Sequence, residues 1–196
     1  MQPLIDNARS FREQCAERPE EFARLAHGQS PHVLFITCSD SRVVPALITG
    51  ARPGDLFELQ TAGNIVPPYP FQQPTGEAAT IEYAVEVLGV TDIVVCGHSH
   101  CGAVGALVRG EDLTAVPAVR DWLTHATPRP QGEVDDPAVA EAVQSHVLTQ
   151  LLRLRSYPCV DKRLTGGQLR LHGWFYEVHM GSVLAHDAQS DTFKAL

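Results

Sequence analysis

Apolar residues along this chain follow two rhythms. The run His32-Val33-Leu34-Phe35-Ile36-Thr37-Cys38 is short and continuously apolar, the pattern of a strand buried on both faces. Asp92-Ile93-Val94-Val95-Cys96-Gly97-His98 repeats it, and residues 55–60 predict a further strand. Residues 169–178 and 182–186, broken at Gly181, predict a hairpin. Helical spacing governs other stretches. Val139, Val143, Val147, Leu151 and Leu154 recur at threes and fours and predict a helix over 138–155. Residues 74–88 predict another, with Thr75 as N-cap and Gly89 as the stop, and a helix starts near Cys101. In 6–26, Phe11, Cys15, Phe22 and Leu25 share one side and Pro19 breaks the run, giving two short helices. The stretch 127–137, rich in Pro, Gly and acid, reads as a surface loop.

Strands alternating with helices predict an α/β fold: a single domain over 1–196 with a mostly parallel central sheet flanked by helices, and a helical arm at 1–30. In such sheets ligands sit outside the carboxyl ends of the strands, where strand order reverses. Cys38 ends one predicted strand and His98 another. If the two strands are neighbours, both side chains meet at that crevice.

Composition narrows the partners. The formal net charge of -8 argues against nucleic acid or an anionic membrane and leaves a small neutral substrate open. No apolar run of about 18 residues predicts a transmembrane helix, and the opening Met1-Gln2-Pro3-Leu4-Ile5 lacks the basic-then-apolar pattern of a signal peptide. A cytoplasmic location is the expectation. The 5 cysteines, Cys15, Cys38, Cys96, Cys101 and Cys159, are odd in number and scattered, a poor disulfide framework. In a reducing compartment they point to metal binding or catalysis instead.

Two clusters carry that chemistry: Cys38-Ser39-Asp40-Ser41-Arg42 and Gly97-His98-Ser99-His100-Cys101-Gly102, each at the end of a predicted strand. Zinc favours thiolate and imidazole in tetrahedral geometry. His98 and Cys101 are close enough in sequence to share an ion, and Cys38 is a third ligand from another strand end. Three protein ligands leave one position open, the mark of a catalytic site. Each piece alone has a plainer reading: Cys38 as a small core residue, Asp40 and Arg42 as a surface ion pair at a turn. Both motifs together, each at a strand end, favour the metal site.

The pair Cys-Ser-Asp-Ser-Arg and Gly-His-Ser-x-Cys-Gly resembles the signature of the β-class carbonic anhydrases. The likeness extends over Gly28-Gln29-Ser30-Pro31, Pro53-Gly54-Asp55-Leu56-Phe57, Ala62-Gly63-Asn64, Ile81-Glu82-Tyr83-Ala84-Val85 and His172-Gly173-Trp174, and is to the plant-like subtype and a bacterial cyanate-associated member. The resemblance implies Zn2+ on Cys38, His98 and Cys101, and Asp40 and Arg42 as a catalytic dyad. It places Gln29, Phe57, Ala62, Tyr83 and Gly102 at the substrate and implies a homodimer or larger homo-oligomer. The expected reaction is reversible hydration of carbon dioxide to bicarbonate and a proton. Alternatives are carbon disulfide or carbonyl sulfide hydrolysis on the same scaffold, and a non-catalytic zinc protein; the intact Asp40 and Arg42 speak against the last.

One departure stands out. Relatives often carry Arg-Asn where this chain has Gln60-Thr61, and the bicarbonate-regulated subtype pairs that arginine with a tryptophan where Phe35 stands here. A second, inhibitory bicarbonate site is therefore not expected. Two thiolates cancel the charge of a zinc ion, so another group must favour the nucleophile. Asp40 could accept its hydrogen bond, while Arg42 keeps the carboxylate ionised and, on releasing it, would let Asp40 become a fourth ligand. His100 is near enough in sequence to shuttle a proton.

Overall fold

The computed structural model describes residues 1–70, 73–126 and 136–196. The chain forms two compact units, Met1–Ser30 and Pro31–Leu196. The first holds α1 (Gln2–Ala16) and α2 (Pro19–Leu25). Pro19 opens the second helix, where its missing N–H costs nothing. Phe11 and Phe22 meet edge to face with centroids 5.9 Å apart, and no residue of either helix is fully buried.

The second unit is built on a six-stranded sheet in the order β2-β1-β3-β4-β5-β6. Its strands are β1 (Val33–Cys38), β2 (Leu56–Thr61), β3 (Asp92–His98), β4 (Arg170–Glu177), β5 (Ser182–Asp187) and β6 (Thr192–Ala195). The first four run parallel, and β5 and β6 join antiparallel at one edge. The chain moves outward from β1 to β2, then returns across β1 to β3, so strand order reverses beside β1. Central β1 and β3 are buried almost throughout, as their continuous apolar runs require. At the edge, β2 alternates toward its carboxyl end, with Leu59 and Thr61 inward and Glu58 and Gln60 in solvent.

The helices of this unit are α3 (Pro45–Thr49), α4 (Gly76–Glu82), α5 (Gly102–Arg109), α6 (Pro117–Leu123), α7 (Asp136–Leu154) and α8 (Pro158–Thr165). Thr75 caps α4 by accepting the Ala78 N–H at 3.1 Å. That helix loosens into a π-helical turn, Tyr83–Leu88, before Gly89 stops it in the left-handed region. Val139, Val143, Val147 and Leu154 of α7 are buried, each contributing about 1.5–3 kcal/mol of apolar transfer. The helix lies flush on β3 because Gly97 has no side chain: a Cβ there would stand 2.5 Å from Val143 Cγ1 and 2.7 Å from Val147 Cγ2.

Several elements differ from the sequence reading. Helices α3, α6 and α8 were not expected; all three open on proline and are too short for periodicity to register. Strand β6, four residues long, was also missed. Of the expected loop at 127–137, residues 127–135 lie outside the described residues, while Asp136 and Pro137 belong to α7. Among the described residues no helix is long and apolar enough to cross a membrane.

Candidate metal centre

Cys38 is the last residue of β1, His98 the last of β3, and Cys101 the N-cap of α5. Adjacent parallel strands therefore deliver the first two to one end of the sheet. The turns beyond them are pinned to neighbouring strands: Ser39 N–H donates to the Thr61 carbonyl at 3.0 Å and Ser99 N–H to Tyr176 at 2.9 Å. Ser99 Oγ also accepts the Val178 N–H. At His100 the backbone takes φ 57°, and this left-handed step precedes Cys101. One ligand atom from each of Cys38, His98 and Cys101 lies within 4.8 Å of the others, and all three residues are buried. Two sulfurs on one tetrahedral zinc would stand about 3.8 Å apart, within that spread.

The donors are in the state a metal requires. His98 Nδ1 lies 2.9 Å from the Ser99 carbonyl, which can only accept, so the proton is on Nδ1 and the Nε2 lone pair is free. Nε2 is fully buried without a hydrogen-bond partner, a costly position unless a cation meets it. The Cys101 thiol, and after it the Gly63 N–H, hold the Cys38 thiol well below its ordinary range. Its contact with Cys38, then burial, pushes Cys101 up. A dication bound between the two sulfurs would favour the thiolate form of both. By contrast, burial pushes the Cys96 thiol up to about 12 and raises that of Cys159, so neither is poised as a ligand.

Asp40 and Arg42 face this group. Arg42 grips the carboxylate with two prongs, Nε to Oδ1 at 2.9 Å and Nη2 to Oδ2 at 2.7 Å, and its backbone N–H adds a bond to Oδ1 at 3.0 Å. A further bond from Nη2 to the His100 carbonyl, 3.0 Å, ties the pair to the other motif. The guanidinium holds the Asp40 carboxyl well below the usual carboxylate range. Asp40 Oδ2, the oxygen bonded by Arg42 Nη2, is also 3.8 Å from His98 Nε2.

A family profile described as carbonic anhydrase matches residues 33–183. A carbonic anhydrase of Pseudomonas aeruginosa is 46% identical over 100% of this chain and 92% of its own length, and one of Synechocystis is 44% identical over 100% and 74%. The chain belongs to the β-class carbonic anhydrases. A solved β-carbonic anhydrase, CcaA, superposes with a TM-score of 0.94 at 42% identity, covering 100% of this chain and 99% of the other. Tetrameric β-carbonic anhydrases of Sordaria macrospora give a TM-score of 0.80 at 28% identity over 94% of each chain.

The remaining expected site residues of this β-carbonic anhydrase are scattered in exposure. Phe57, on β2, and Tyr83, opening the π-helical turn, bring their rings to 5.9 Å, and Tyr83 is 44% exposed. Ala62 is exposed in the turn Ala62–Asn64, and Gly102 is the exposed first residue of α5. Gln29 is exposed near the end of the first unit, after Gly28 with φ 124°. Phe35 is buried edge to face on Trp174, centroids 5.8 Å apart, and Gln60 donates to its neighbour Glu58 at 3.3 Å. The reading of the sequence gave no role to Gly63, whose N–H points at Cys38 Sγ from 3.3 Å. Its signal was its place in the segment Ala62-Gly63-Asn64, quoted for the family likeness without a role.

Proposed function

We propose that this carbonic anhydrase reversibly hydrates carbon dioxide to bicarbonate and a proton, with zinc held by Cys38, His98 and Cys101. The carrying observation is the buried, unpartnered Nε2 of His98 beside two buried sulfurs, the ligand atoms of the three residues lying within 4.8 Å of one another. Zinc bound there would supply Lewis-acid activation of water. The residues do the rest. Asp40, kept ionised by Arg42, offers Oδ2 as an acceptor that orients the attacking oxygen. Arg42 restrains that oxygen from becoming a fourth ligand. Phe57 and Tyr83, whose rings meet, are apolar groups suited to a small apolar gas; Ala62, Gly102 and the Gln29 amide, a hydrogen-bond donor, are assigned to the substrate by the family likeness alone. Exposure of Tyr83 (44%) and Val87 (65%) on one turn fits a site completed in a homodimer or larger assembly.

Stopped-flow hydration assays with metal analysis of the same samples test this. Wild type should carry about one zinc per chain and turn over carbon dioxide, while Cys38→Ser, His98→Ala and Cys101→Ser should each lose most zinc and activity. Full zinc occupancy in any of the three removes that residue from the ligand set. Absence of hydration by the zinc-loaded wild type overturns the function.

A further inference from the structure

Behind the cysteine–histidine group lies a chain of buried polar contacts that the proposed activity does not use. It starts at the Val66 N–H, which donates to Gln150 Oε1 at 2.9 Å and so fixes which way that amide faces. Gln150 Nε2 then points at His146 Nδ1, 3.3 Å away, as a donor. With Nδ1 accepting, the His146 proton is on Nε2, which donates to the Gly63 carbonyl at 2.8 Å. His146 and Gln150 are one turn apart on α7, 1% and 0% exposed. From α6, Trp122 Nε1 donates to the Ala62 carbonyl at 2.9 Å. These two carbonyls belong to the peptide groups on either side of Gly63. The N–H of the first of those peptides is the one aimed at Cys38 Sγ, 3.3 Å away.

We propose that His146, oriented by Gln150, and Trp122 are positioning residues that lock the Gly63 backbone so that its N–H stays on the Cys38 thiolate. The inference rests on Cys38 being a metal ligand. Glycine has the widest backbone choice, and Gly63 sits at φ 75°. Left alone, its N–H would swing away from the sulfur. Trp122 holds and polarises the same peptide that donates to sulfur, and His146 fixes the following peptide, which turns with ψ of Gly63. An N–H bond to thiolate withdraws electron density from sulfur and fixes its direction, the way outer contacts tune a metal site. A side chain at this residue would be strained, since φ is 75° and a Cβ would make a tight 3.1 Å contact with Ala103 Cβ on α5.

The test compares His146→Leu, His146→Gln and Trp122→Phe in zinc-loaded and cobalt-substituted protein. Glutamine Nε2 lies as many bonds from the backbone as that of histidine, so it can restore the donor. The readouts are metal release to a chelator, the sulfur-to-cobalt charge-transfer band, and hydrogen exchange at the Gly63 amide. His146→Leu should release metal about 10–100-fold faster, shift the band and speed Gly63 exchange. His146→Gln should recover most of each, and Trp122→Phe should move all three the same way by less. A tether that merely steadies the loop would leave the band in place. An unshifted band with wild-type metal release in His146→Leu overturns the proposal, as does a glutamine variant no better than leucine. Should His146→Leu fail to fold, an unchanged band and unchanged release in Trp122→Phe overturn it instead. Retention of metal by Cys38→Ser would sink the ligand reading and the clamp with it; a Cys38-dependent metal indifferent to His146 sinks the clamp alone.

Discussion

Asp40 shows how one residue can hold two options. Its Oδ2 is 2.7 Å from Arg42 Nη2 and 3.8 Å from His98 Nε2, between a guanidinium that restrains it and the ligand group. The sequence places acid and guanidinium at alternate positions, and the backbone turn folds the arginine back onto the carboxylate. Neither group is needed to hold metal on three other ligands. Asp40→Asn and Arg42→Ala should therefore retain zinc while hydration falls by about a hundredfold or more, the scale of losing an oriented polar group at a reacting centre. Stopped-flow rates beside zinc content check this, and wild-type turnover in both variants would remove the dyad from the reaction.

At the scale of elements, the centre depends on where two strands stop and how closely a helix lies against them. α7 approaches β3 at Gly97, the residue before His98. Gly97→Ala would drive its methyl into Val143 and Val147. Overpacking of this kind costs about 1–3 kcal/mol, so a lower thermal midpoint together with weaker zinc retention is expected; a midpoint equal to wild type would show that α7 yields freely. The opposite ends of β3 and β4 are joined by Asp92, which accepts from Arg170 Nε and Nη2, each at 2.8 Å, and lies 2.8 Å from His172 Nε2. Arg170 holds the Asp92 carboxyl well below the usual range. A depressed carboxylate contributes stability above its unfolded pKa of roughly 3.9 and loses it as pH falls through the folded value. Asp92→Asn should thus be less stable than wild type near pH 7, with the gap closing below about pH 4. Thermal melts across that range test it, and a gap independent of pH would assign the loss to geometry instead of charge.

At the scale of the whole molecule, the surroundings of Phe35 and Gln60 bear on regulation. Phe35 is sealed against Trp174, and Gln60 is engaged with Glu58 on edge strand β2, so neither offers a cation to a second bicarbonate. Inhibition by bicarbonate should follow simple product inhibition, with a Hill coefficient near one. A coefficient clearly above one in initial-rate titrations would require a regulatory anion site elsewhere.

The sequence alone determined most of the strands and offered the candidate donors. Continuous apolar runs identified β1 and β3, periodicity identified α7, and thiol and imidazole at or just beyond strand ends pointed to Cys38, His98 and Cys101 as candidate ligands, because buried strands and metal ligands each need particular residue types. It was silent on α3, α6 and α8, whose few residues give no period to read. Tertiary structure decided what depends on neighbours distant in sequence. Only the pairing of β1 with β3 brings the two motifs together. Only the fold turns Arg42 to the His100 carbonyl and leaves His98 Nε2 without a protein partner. And only the packing of α7 sets His146 against Gly63, since a histidine in a helical run reads the same whether it faces solvent or a backbone carbonyl.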